Sequence, residues 1–308
     1  MKTVSIKHTY WDIAADIYFP DDFNSEKKYP AIISAHPIGS CKEQTSGSVY
    51  GAALAKAGFI VIAFDASFQG SSGGEPRYLE DPTMRVKDFS IVVDYLTSLP
   101  YVDAGRIGVL GICGGGGGGY AINAAMTERR IKAIGTVTGA NYGRLMREGF
   151  TAFNPIGALE AMAQQRTDEA NGAKLRVDDL LPSSPEAALE AGLTEIDLFE
   201  ATEYYRSPRG CAPNGVNRSL FSHQTVAVGW DAFHLAEVLL TQPIMVVVGD
   251  RVGAFGAYRD GCEIIGRAAS KHKELVVVEG YSHYDLYDKP EPVKQALDKL
   301  IPFYKTHL

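Results

Sequence analysis

Arg106-Ile107-Gly108-Val109-Leu110-Gly111-Ile112-Cys113-Gly114-Gly115 is the stretch on which the fold turns. Its first residues form an apolar run of strand length. Gly111-Ile112-Cys113-Gly114-Gly115 then fits the G-x-Nu-x-G pattern of a strand–turn–helix elbow, with cysteine in the nucleophile's place. The pattern has a physical cause. The turning residue is held in a strained backbone conformation, so its flanking positions must be small for strand and helix to approach. A thiol there stands at a helix N-terminus, where the dipole and free amides favour thiolate. The Gly114 amide would point where an oxyanion develops.

Residues 114–119 are an unbroken glycine run, part of a total of 32 glycines. Such a run also satisfies the dinucleotide-binding pattern G-x-G-x-x-G. That fingerprint opens an early βαβ unit and has an acid about 20 residues further on. Here it follows a late strand, and Ile131-Lys132-Ala133-Ile134-Gly135 offers no acid. Gly114 and Gly115 belong to the elbow. The glycines at 116–119 would cost a helix roughly 4 kcal/mol relative to alanine, and the elbow does not explain them.

Outward from the elbow, strand-like apolar runs lie at 4–8, 13–19, 30–35, 59–64, 106–110 and 131–137, and again at 244–248 and 274–278. Helical patterns occupy 49–57, 83–98, 261–270 and 292–304. Buried strands alternating with helices predict an α/β fold, a mostly parallel sheet covered on both faces. Between residues 141 and 238 the pattern breaks, and Ala, Glu, Gln and Asp dominate. We expect one core, residues 1–140 and 239–308, interrupted after its sixth strand by a helical lid at 141–238.

A nucleophile needs a base, and the base needs an orienting group. Of the seven histidines, His283 directly follows the last strand, and Asp250 ends the strand before it. The order Cys113, Asp250, His283 is nucleophile, acid, histidine, each at the carboxyl end of a parallel strand, where open sheets build their sites. Asp250 is selected because Val252, Gly253 and Ala254 bring no carboxylate; Asp260 and Asp285 are its substitutes. The second oxyanion donor should come from His36-Pro37-Ile38-Gly39, and since Pro37 has no N–H, Ile38 is the candidate. Among the aromatic and apolar residues of the lid (Tyr142, Met146, Phe150, Phe153, Tyr204, Tyr205, Trp230, Phe233), Tyr142 and Trp230 are expected to line the pocket.

Composition excludes several classes. The net charge is −7, without Lys/Arg blocks, which speaks against nucleic acid or an anionic membrane as partner. No apolar run reaches the roughly 20 residues of a spanning helix, and the first residues have no signal-peptide h-region. Four cysteines without CxxC pairing indicate neither a disulfide framework nor a metal site. The expectation is a reduced, cytoplasmic protein compatible with a homo-oligomer, with no metal and no cofactor.

The words His36-Pro37-Ile38-Gly39-Ser40-Cys41-Lys42-Glu43-Gln44, Ser72-Gly73-Gly74-Glu75-Pro76-Arg77, Gly111-Ile112-Cys113 and Gly280-Tyr281-Ser282-His283-Tyr284-Asp285-Leu286-Tyr287 make the chain resemble the dienelactone-hydrolase-like α/β-hydrolases. Within these it is similar to YcjY-type bacterial hydrolases and to fungal polyketide thiohydrolases and transferases. The resemblance implies the α/β-hydrolase fold, a triad on Cys113, Asp250 and His283, and no cofactor. It implies no single substrate, because such proteins act on lactones, esters and thioesters. The glycine run is longer than the Ala/Gly stretch of proteins resembling this one. The expected function is acyl hydrolysis through an acyl-enzyme on Cys113 with a small-molecule acyl substrate. The alternatives are acyl transfer to another acceptor and a non-catalytic binding member of the fold.

Overall fold

Runs such as Ile60-Val61-Ile62-Ala63-Phe64 carry no polar alternation because both faces of the sheet they build are buried. Ile33, Val109, Ile134 and Val246 face one apolar cluster, together with Phe89, Val92 and Tyr120. Their neighbours Ile32, Leu110, Ala133 and Val247 face another, with Tyr50, Leu300 and Tyr304. The computed structural model describes residues 1–113, 118–149 and 154–308.

The strands are β1 (Lys2–Lys7), β2 (Asp12–Tyr18), β3 (Tyr29–Ala35), β4 (Ile60–Phe64), β5 (Val102–Ile112), β6 (Ile131–Val137), β7 (Val177–Asp179), β8 (Arg218–Leu220), β9 (Ile244–Arg251) and β10 (Lys273–Ser282). Eight of them form one sheet in the order β1-β2-β4-β3-β5-β6-β9-β10. From β4 to β10 all neighbours are parallel, with β5 central: Ile33 pairs with Val109 and Val109 with Ile134. β1 and β2 close one edge antiparallel. The helices expected near 83–98 and 292–304 are Pro82–Ser98, N-capped by Asp81, and Pro290–His307. The expected helix at 261–270 runs Ala257–Arg267, and that at 49–57 is a π-turn, Thr45–Gly51, followed by a short α-helix, Ala52–Lys56.

The segment between β6 and β9 is mainly helical, with Tyr142–Glu148, Pro155–Ala170, Pro185–Glu190, Ile196–Arg206 and Thr225–Gly229. It is not purely so. β7 and β8 pair antiparallel, Val177 opposite Leu220, and strands this short leave no apolar run for the sequence to show. Buried Arg144 holds the segment to the core, donating from Nε and Nη2 to Asp260 at 2.7 and 2.8 Å. Among the described residues no helix is long and apolar enough to cross a membrane.

After β5 the described chain resumes at Gly118, and an α-helix runs Gly119–Thr127. Gly118 meets Gly139, just past the end of β6, backbone to backbone: a Cβ on Gly118 would lie 2.1 Å from the Gly139 Cα. This contact is the reason for one glycine of the run that the elbow left unexplained.

Candidate active site

β5 delivers Cys113 at the end of the central strand. Its φ of +67° lies in the left-handed region that a side chain rarely adopts, and non-glycine residues persist there only where their surroundings hold them. Cys113 is 8% exposed and lines a pocket.

His283 follows β10 and is buried. Its ring is walled by Tyr284, Phe255 and Tyr287, with centroids 4.9, 5.4 and 5.5 Å away. Nε2 stands 3.3 Å from the Tyr287 hydroxyl, and that hydroxyl also hydrogen-bonds Cys113. Burial holds the imidazole down to about 3, so it is neutral. Burial, with the neighbouring Cys113, pushes the Tyr287 hydroxyl far up, and it stays a donor. Cysteine, histidine and a protonated tyrosine thus share one hydrogen-bonding cluster.

Asp250 is not part of it. Its side chain is exposed, and Oδ1 accepts the Gly280 N–H at 2.6 Å, tying the ends of β9 and β10 together. The expectation for Asp250 fails because a carboxylate at the strand end points outward to cap a turn. The two substitutes are also engaged: Asp260 by Arg144, and Asp285 by the Ser282 N–H at 3.0 Å and by Lys289.

The loop after β3 is held by His36, whose buried ring fits the neutral form alone. Nδ1 donates to the Pro37 carbonyl at 2.6 Å and Nε2 accepts the Ala66 N–H at 3.0 Å. Burial, with Arg85 beside it, holds this imidazole down to about 3. Ile38 sits in the braced loop and lines the same pocket as Cys113. Among the described residues no acceptor takes its N–H. Gly114, the other expected donor, lies outside the described residues, as do Phe150 and Phe153.

The pocket over Cys113 has a volume of about 130 Å3 and a wall that is mostly apolar, with Tyr142, Leu181, Leu198, Tyr205 and Phe255 among its members. Tyr142 stands in this wall. Trp230 does not: its ring packs on Tyr120 at 4.9 Å, on the side of the Gly119–Thr127 helix. An aromatic in an inserted segment serves packing as readily as a pocket, and nothing local distinguishes the two. The sequence reading missed Phe255, Tyr284 and Tyr287 as neighbours of His283. The spacing His283-Tyr284-x-x-Tyr287 was the available signal, since a single turn after a strand brings those three rings together.

A mostly parallel sheet in this strand order, with a left-handed cysteine at the exit of its central strand and a histidine after its last, is the plan of the α/β-hydrolases. The chain is a hydrolase of that type. A profile of the X-Pro dipeptidyl-peptidase (S15 family) matches residues 11–198, and the chain belongs to this family. YcjY of Escherichia coli (strain K12) is 41% identical over 300 residues, 96% of this chain and 94% of that protein. The crystal structure of PA2218 from Pseudomonas aeruginosa superposes with a TM-score of 0.89 at 32% identity, over 100% of this chain and 93% of that one. A thiohydrolase of Eupenicillium brefeldianum is 22% identical over 278 residues, 86% of this chain and 82% of its own length.

Proposed function

We propose that the chain is an acyl hydrolase whose Cys113 forms a thioester acyl-enzyme with a small acyl substrate, and whose His283 is the general base. The observation that carries this reading is the left-handed Cys113 at the floor of an apolar pocket, one hydroxyl away from a neutral, buried imidazole. His283 takes the Cys113 proton, and the thiolate attacks the acyl carbon. The Ile38 N–H stabilises the oxyanion. Collapse expels the alcohol or thiol, which leaves with the proton from His283. Water, deprotonated by His283, then cleaves the thioester and restores the thiol.

S15 peptidases usually carry serine where this chain has Cys113. A thiolate is a strong nucleophile and also a good leaving group, so a tetrahedral adduct with an ordinary amide returns to reactants. The chemistry favours thioesters, lactones and aryl esters, and the thiohydrolase relative accords with that class. We take the 141–238 segment as the lid, since Tyr142, Leu181, Leu198 and Tyr205 from it line the pocket. Four free thiols accord with a reducing compartment such as the cytoplasm.

The test is turnover of p-nitrophenyl acetate and a short acyl thioester by wild type and by Cys113→Ala, with mass detection of the acyl adduct. We expect an adduct on Cys113 and loss of turnover in Cys113→Ala. Undiminished turnover in that variant would overturn the reading.

A further inference from the structure

Where this plan needs a carboxylate behind its histidine, the loop after β9 reads Val252-Gly253-Ala254 and has none. The space is filled from elsewhere. Asp197, on the Ile196–Arg206 helix, is 1% exposed, and its carboxyl carbon would lie 2.3 Å from a Cβ on Gly253. The loop grips it: Asp197 Oδ2 accepts the Phe255 N–H at 2.8 Å, and neighbouring Glu195 Oε1 accepts the Ala254 N–H at 2.8 Å. A carboxylate from the inserted segment thus sits where glycine makes room for it.

The other oxygen, Oδ1, is buried and takes no donor among the described residues. The same holds for two more buried polar atoms, His283 Nδ1 and Thr138 Oγ1. Asp197, His283 and Thr138 line one cavity of about 10 Å3, close to the space of a single water. A buried polar atom without a partner is destabilising, so three around one small void are an unfavourable arrangement for mere packing. Thr138 itself is held at a φ of +49°.

We propose that Asp197 is the carboxylate that orients His283, receiving the Nδ1–H across this cavity, so that the third catalytic group comes from the inserted segment. The proposal rests on the reading of Cys113 as nucleophile and His283 as base. The proton from the thiol goes to Nε2; Nδ1–H stays in place, and the charge of ionised Asp197 offsets the imidazolium. Glu195 and Glu200 on the same stretch of chain, Arg251 and Tyr258 at the cavity, and Asp285 beyond Arg251 are the other titratable or charged groups around the pair. Burial pushes Asp197 up to about 7, so it is ionised above neutral pH.

The experiment compares wild type, Asp197→Asn, Asp197→Ala and the double variant Asp197→Ala/Gly253→Asp on p-nitrophenyl acetate, with urea midpoints to verify folding. Asp197→Asn should lower kcat by about a hundred- to ten-thousand-fold with KM within a few-fold, the loss seen when a triad acid becomes an amide. Its acid limb of kcat/KM should move to lower pH, because a neutral partner supports the imidazolium less. The double variant places the carboxylate on the β9 loop, in the room Asp197 vacates, and should recover at least tenfold over Asp197→Ala. Asp197→Asn within threefold of wild type with an unmoved pH profile, or a folded double variant without recovery, overturns the proposal. His283→Ala and Cys113→Ala separate this from failure of the underlying reading. If either retains turnover, the base or nucleophile is wrong; if both are inactive while Asp197→Asn is not, Asp197 alone is wrong.

Discussion

Replacing Gly118 by alanine sets two opposed effects against each other. Its backbone, φ −60° and ψ −63°, is helical, so a side chain brings no backbone strain. Alanine is favoured over glycine by about 1 kcal/mol in a helix interior, an upper bound for Gly118, which is the N-cap of the Gly119–Thr127 helix. Against this, the new Cβ would lie 2.1 Å from the Gly139 Cα, 2.8 Å from its carbonyl carbon and 3.0 Å from the Ala140 nitrogen. Carbon atoms at rest sit about 3.5–4.0 Å apart, and all three neighbours are backbone, with no rotamer to yield. The chain leaving β5 and the chain leaving β6 must therefore separate by over about 1 Å, a form of overpacking that costs about 1–3 kcal/mol or more. The clash outweighs the propensity, and we expect a net loss of about 2 kcal/mol. For a chain of 308 residues that lowers Tm by roughly 3 °C and the urea midpoint without a change in m. Because Ala140 lines the pocket, kcat/KM on an aryl ester should fall as well. Gly139→Ala meets its nearest atom only at 2.8 Å and should be the milder variant. A Gly118→Ala chain more stable than wild type, or a Gly139→Ala chain less stable than Gly118→Ala, would refute the reasoning.

Tyr287→Phe removes the hydroxyl that hydrogen-bonds Cys113. A hydrogen bond to a charged acceptor contributes about 1.5–3 kcal/mol, so the thiol pKa read from the pH dependence of iodoacetamide alkylation should rise by about one to two units; an unchanged value counts against the cluster. His36 is neutral in the fold down to about 3 and has an ordinary value of 6.5; between these pH values the unfolded chain binds the extra proton, so its contribution falls as pH falls. Urea titrations should therefore show wild type losing stability relative to His36→Gln from pH 6.5 toward 3, with a slope of up to about 1.4 kcal/mol per pH unit, and a constant difference would contradict it. Asp260→Ala leaves Arg144 buried without its principal partner and should cost about 3–5 kcal/mol in urea unfolding; a loss below about 1 kcal/mol would show that the pair does not hold the inserted segment.

The core was legible because burial on both faces writes strands such as β4 and β9 as unbroken apolar runs, and because the elbow fixes glycines on both sides of Cys113. Small β7 and β8 were not, being three residues each, too short for any periodicity. At the site, Cys113 and His283 could be placed because each directly follows a strand. The orienting carboxylate could not, because sequence order searches the strand ends, and Asp250 at that position spends its oxygen on the Gly280 amide. Gly253 was the trace available in advance: a glycine at the site of an expected acid marks room for a group from elsewhere. Which group fills it depends on how the inserted segment docks, and no local pattern states that. The same holds for Trp230, whose ring finds Tyr120 only once helix and segment are packed.

The two hydrogen bonds from the β9 loop to the inserted segment, Ala254 N–H to Glu195 and Phe255 N–H to Asp197, span 59 and 58 residues of sequence. Their amides cannot exchange with solvent deuterium unless the Ile196–Arg206 helix lifts from the loop or the loop itself opens. Two residues beside the pocket are thus gauges of a movement that begins far along the chain. Any ligand that seals the pocket should slow their exchange together, in step with the helix rather than with the sheet that precedes their loop.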